Sequence, residues 1–141
     1  MLESLRLFAQ SGSLLLLGIA LGGAWFIAIV TPNVAYDRQD GLRADSDVRA
    51  MLSAGSPQIG FVLLGACACG VLAGSYASAV TSLLAAFGFF TNRWTLASFK
   101  PGDGPKAGNQ PPRTQRVLAV AFTLIFSLVT AIAAVLALLG I

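Results

Sequence analysis

The sequence predicts an all-α integral membrane protein, a single domain built as a small bundle of four transmembrane helices. Three observations predict it. Only 11% of the 141 residues are charged, against 56% hydrophobic, where a soluble domain carries roughly 25% charged residues. The charges fall in three windows: Glu3 and Arg6, then Asp37 to Arg49, then Arg93 to Arg116. The uncharged stretches between the windows are long enough to cross a hydrocarbon core, which takes about 20 apolar residues. This pattern excludes an ordinary water-soluble domain, a charged disordered tail and a nucleic-acid binder. The pI near 9.3 comes from basic residues flanking apolar stretches, as in membrane proteins.

The first span is expected at about 13–31, SLLLLGIALGGAWFIAIVT, with Pro32 and Asn33 stopping it. Proline cannot continue a helical hydrogen-bond ladder and asparagine favours turns. The run is longer than a typical signal-peptide core of about 7–15 residues and Glu3 precedes it, so a retained span is preferred over a cleaved leader. A cytoplasmic connection is expected at about 33–57. Within it, Asp45, Ser46 or Asp47 is placed to cap a short helix holding Val48, Met51 and Leu52 on one side, ended by Gly55 and Pro57. Such an element suits the membrane surface.

The apolar stretch from Gln58 to Asn92 admits two threadings. One is a helical hairpin turning at Gly74, Ser75 and Tyr76, with spans at about 58–74 and 76–94, the second arm able to run through Trp94 towards Phe99. The other is a single long central helix, making three spans in all. A row of small residues, Ala66, Gly70, Gly74, Ser78 and Ser82, favours one continuous helix face. Loop charge favours the hairpin. Four spans put eight Lys and Arg on one side and only Arg6 on the other, whereas three spans divide them six against three. The positive-inside rule counts these residues, so four spans are preferred, with both termini outside and both long connections cytoplasmic. The second connection, at about 95–116, is a Pro- and Gly-rich linker. Arg93 just before it, with its Lys100, Lys106, Arg113 and Arg116, are the candidate lipid-headgroup contacts, worth about 1 kcal/mol per basic residue at an anionic surface. The last span is expected at about 117–140.

The chemical inventory is sparse. Histidine is absent, so the usual general base and commonest metal ligand is missing. Apart from Arg93 at the exit of the span at about 76–94, no Asp, Glu, Lys or Arg falls inside a predicted span, where such residues mark proton relays and ion pathways. Asp37, Asp40, Asp45 and Asp47 lack the spacing, glycine and closing glutamate of a calcium loop. GDGP and GNQPP are not phosphate loops, since no strand precedes them and no GK[ST] follows. Cys67 and Cys69 stand two apart on a helix and point about 200° from each other, which suits packing rather than metal capture. No catalytic, cofactor or metal site is expected.

What remains are packing and anchoring residues. Gly18 and Gly22 form a GxxxG on the first span. With Ala66, Gly70, Gly74, Ser78 and Ser82, and with Thr123 and Ser127 on the last span, they are the candidate helix-packing positions. Trp25, Tyr36, Tyr76 and Trp94 are the candidate interface anchors.

LGGAWFIAIVTPNVAY, GFFTNRWTLASF and RTQRVLAVAF together resemble the bacterial membrane family called domain of unknown function 4149, related to an animal transmembrane protein family of similar size. They are similar to its first span, the exit of its third and the basic approach to its fourth. The family often places a histidine before the last span, which this sequence lacks. The resemblance implies four spans and no established activity.

The reading that joins these features is a non-enzymatic protein of the bacterial inner membrane acting through helix–helix and lipid contacts, as an accessory or assembly subunit. Its expected partners are membrane lipids and other membrane protein subunits or a second copy, with no nucleic acid. A second reading is a small transporter or channel for a neutral or lipid-like molecule, lined by Ser75, Ser78, Ser82, Thr123 and Ser127. A third, heavy-metal handling through Cys67 and Cys69, is the weakest.

Overall fold

The computed structural model describes residues 1–38, 41–97 and 112–141. The described chain is helical, with α1 at Leu2–Trp25, a π-helical turn at Phe26–Val30, α2 at Thr31–Arg38, α3 at Gly41–Ala73, α4 at Tyr76–Ala97 and α5 at Pro112–Leu139. Three segments within these helices, Leu2–Ala35, Asp47–Ala73 and Val117–Leu139, are long and apolar enough to cross a membrane. Helix α4 is free of charge from Tyr76 to Thr91 and carries Asn92 and Arg93 near its end.

The central stretch is a hairpin, not one continuous helix. Gly74 takes φ +80°, a left-handed conformation that glycine adopts without steric cost. Its N–H donates to the Val71 carbonyl at 3.1 Å, and that of Ser75 to Gly70 at 2.9 Å. This pair of bonds is the Schellman arrangement that closes a helix C-terminus. Helix α5 ends the same way: Gly140 has φ +72°, Gly140 N–H reaches Ala137 at 3.2 Å and Ile141 N–H reaches Leu136 at 3.1 Å.

Helices α1, α3, α4 and α5 form a closed ring in that order, each packed on its two neighbours. Every adjacent pair is antiparallel. Along α1 and α3, Arg6 meets Ala73, Ser13 meets Ala66 and Ile27 lies beside Gly55. Along α4 and α5, Ser78 meets Ala133 and Asn92 meets Thr123. The N-terminus of α1, the α3–α4 turn and the end of α5 therefore share one end of the bundle, the tip end. The connections between α1 and α3 and between α4 and α5 leave from the other.

The packing is inverted relative to a water-soluble bundle. The main core is mostly small: Ala20, Ala24, Ala66, Ala85, Ala86, Ala133 and Ala137, with Leu17, Ile59, Leu63 and Phe89 filling the gaps. The outside carries the large apolar residues, such as Leu15, Ile19, Phe61, Leu84, Phe87, Ile125, Leu128 and Leu138. Water would force these inward. In hydrocarbon no such force acts between helices, and small interfacial residues let backbones approach closely.

Two expected helix stops are not stops. Pro32 and Asn33 do not end the first helix, because the π turn precedes them. Thr31 N–H bonds the carbonyl of Phe26 five residues back, which widens the ladder where proline's ring would strike the carbonyl four back. Gly55 and Pro57 do not end a short helix either, since both lie inside α3, a helix of 33 residues and about 50 Å. The helix begins at Gly41, so Asp45, Ser46 and Asp47 sit within it rather than capping it. Val48 and Leu52 are buried, as the sequence pattern expects, in a second cluster with Ala119. Met51 faces outward at 55% exposure.

Candidate functional site

The turn at Gly74 divides the small-residue row, and its members serve different contacts. Ala66 receives the Ser13 hydroxyl of α1 at 3.3 Å. At Gly70, α3 comes close to the backbone of α4: a Cβ there would lie 3.2 Å from the Ala79 Cβ and 3.4 Å from its Cα. Ser78 faces α5, donating its hydroxyl to the Ala133 carbonyl at 2.9 Å. Ser82 folds back onto its own helix, reaching the Ser78 carbonyl at 2.7 Å. One row of residues thus supplies three different faces of the bundle.

On α5, Thr123 donates to the Ala119 carbonyl at 2.8 Å and receives the Asn92 amide at 3.3 Å. Ser127 donates to Leu124 at 2.7 Å and receives the indole N–H of Trp25 at 3.2 Å. Ser78, Ser82, Thr123 and Ser127 are each no more than 2% exposed. Their hydrogens are directed to helix carbonyls, and among the described residues no buried side-chain polar atom lacks a partner. Polar groups away from water are costly unless paired, and this interior meets that requirement.

The tip end is bound by side chains of α1. Arg6 Nε donates to the Ala73 carbonyl at 2.6 Å, and Gln10 Nε2, one turn on, donates to the Ala137 carbonyl at 3.1 Å. Both acceptors lie at helix C-termini, where unsatisfied carbonyls and the helix dipole favour a donor, and in the case of Arg6 a cation. In the first turn of α4, the Ser78 N–H reaches the Ile141 oxygen at 3.2 Å.

Gly18 and Gly22 do not pack inside the bundle. Both are exposed, and a Cβ at either would find no atom within 4 Å. They form a shallow notch on the outer face of α1, beside Leu15, Ile19 and Phe26.

Of the anchors, Tyr76 opens α4 at the tip and is 68% exposed. Trp25 has an exposed ring, but its N–H is bonded to Ser127 across the bundle rather than free for a headgroup. Tyr36 lies in α2 and Trp94 in α4, with their side chains outside the described set. Arg93 is exposed near the end of α4. Arg113 and Arg116 fall in the first turns of α5, while Lys100 and Lys106 lie outside the described residues. Cys67 and Cys69 are free thiols, both half-buried on α3. Among the described residues no group of three His, Cys, Asp or Glu is arranged to hold a metal.

Arg6, Gln10, Ser13 and Asn92 carry contacts that the pattern reading did not select. Each is a polar residue within or beside an apolar run, and such residues mark interhelical bonds in hydrocarbon. No family model matches the chain, and no curated protein or solved structure matches it.

Proposed function

We infer that the protein crosses a bacterial inner membrane four times, with both termini outside and both long connections cytoplasmic. It acts without catalysis, through contacts with lipids and with other membrane subunits or a second copy, as an accessory or assembly subunit. The observation that carries this reading is the contrast between inside and outside. Among the described residues the interior hydroxyls are bonded to the bundle's own carbonyls, and no buried side-chain polar atom is left without a partner to line a substrate path. The described outer face is largely apolar and holds an uncovered small-residue notch, Gly18 and Gly22. The antiparallel ring supports four crossings, because α4 runs the same course as the three apolar helices it accompanies. The eight-to-one division of Lys and Arg supports the orientation.

Isolation in mild detergent is expected to yield a stoichiometric partner or a homo-oligomer. Converting Gly18 and Gly22 to leucine should weaken that association and leave the fold intact. A monodisperse monomer under several gentle conditions would overturn the reading. Flux of a neutral solute through liposomes containing only this protein, lost in Ser78→Leu with Ser82→Leu, would favour a transporter instead.

A further inference from the structure

We propose that the bundle carries a hinge at the level of the π turn and Pro57, about which α2 and residues 41–56 of α3 move together relative to the tip half. Four independent features of the fold meet at this level. The first is the π turn at Phe26–Val30 with Pro32 just beyond it. The second is Pro57 inside α3, which has no N–H to give the Ser53 carbonyl. Prolines and π turns are the usual sites of helix bending, and here they stand side by side on neighbouring helices. Just before Pro57, the Ser56 hydroxyl folds back onto the Leu52 carbonyl at 2.6 Å, a bond that also bends helices.

The third feature is the joint between the two breaks. Ile27, within the π turn, sits on the bare backbone of Gly55, where a Cβ would collide with the Ile27 Cδ1. A side chain resting on glycine can slide or roll without meshing. The fourth is the division of the core. The main cluster reaches only to Ala24 on α1 and Ile59 on α3. A separate cluster of Val48, Leu52 and Ala119 lies beyond the breaks, and Ile27 packs against both.

The fold also leaves room for the movement. A groove of about 440 Å³ opens on the outer face at this height, between Ala28, Pro32 and Asn33 on one side and Val117, Val120 and Leu124 of α5 on the other. Bending at the hinge swings α2 across this groove, narrowing or widening it. Hinges of this kind absorb backbone change over a few residues while the packed bodies on either side keep their structure.

The test is a pair of spin-label distances in lipid vesicles, with Cys67 and Cys69 replaced by alanine. Labels at Val34→Cys and Ala121→Cys span the groove. Labels at Ile19→Cys and Ile132→Cys span the same two sides of the tip half. The groove pair is expected to give a distribution broader than the tip pair by about 2 Å or more. Restoring both ladder donors with Pro32→Ala and Pro57→Ala should narrow it towards the tip pair. A groove distribution as narrow as the tip pair's would overturn the proposal. So would a broad one that the two substitutions leave unchanged. If the tip pair shows that the double variant has not folded, Pro57→Ala alone carries the test with the same two outcomes.

Discussion

The two ends of the bundle are built on different terms. At the tip, four helix ends meet and the two C-termini among them are closed: α3 and α5 end in glycine Schellman turns, and carbonyls in their last turns are bound by Arg6 and Gln10 of α1. Helices there touch through small residues, Gly70 on Ala79 and Ser78 on Ala133, at near-backbone distance. At the opposite end the helices run on past their expected stops, through a π turn and an internal proline. Larger side chains, Val48 and Leu52, hold them in a cluster of their own. The difference teaches that regular helix and small residues let neighbouring backbones approach closely at the tip, whereas an irregular helix and larger side chains give the far end a core of its own.

The largest expected effect tests the main core. Phe89 is fully buried, and Phe89→Ala should lower stability by about 3–5 kcal/mol in reversible unfolding from detergent. The matching change beyond the breaks, Leu52→Ala, should cost about 2–5 kcal/mol locally. Its signature is faster hydrogen exchange confined to residues 41–56, with the tip unchanged. Uniformly faster exchange throughout the bundle would erase the distinction between the two ends.

Gly70→Leu comes next. The Ala79 backbone cannot withdraw from a side chain there, so overpacking of about 1–3 kcal/mol is expected, measured as a lower unfolding midpoint. Ser78→Ala should cost about 0.6 kcal/mol, the typical worth of a hydroxyl bond between membrane helices. Smallest of all is Gly18→Leu, which meets open space and should move unfolding by no more than about 0.5 kcal/mol. A large loss there would mean that the outer face of α1 is packed after all.

Much of the tip is legible in the sequence, since its determinants are local. Gly74, Ser75 and Tyr76 form a turn of glycine, small polar residue and aromatic in an otherwise apolar run, and they close α3 and open α4. The opposite end is harder to read for the same reason. Pro32 and Pro57 are read locally as stops, yet the surrounding helix absorbs one with a π turn and runs on through the other. Val48 and Leu52 are correctly paired by their spacing, but their partner Ala119 is far away in sequence. The small-residue row points to one face only if the helix is unbroken. Gly18 and Gly22 read as a packing motif, yet the bundle leaves both uncovered. Bonds such as Trp25 to Ser127 or Arg6 to Ala73 depend on which helices become neighbours, which no local pattern states.

The central claim is that the chain folds back at Gly74, so that both termini and the α3–α4 turn share one side and the long connections share the other. Accessibility labels at Tyr76, at Asp103 and at the C-terminus, read from each side of a sealed membrane, test it most directly. Tyr76 and the C-terminus should react from one side and Asp103 from the other. Tyr76 shielded from both sides, or reactive from the same side as Asp103, would contradict it.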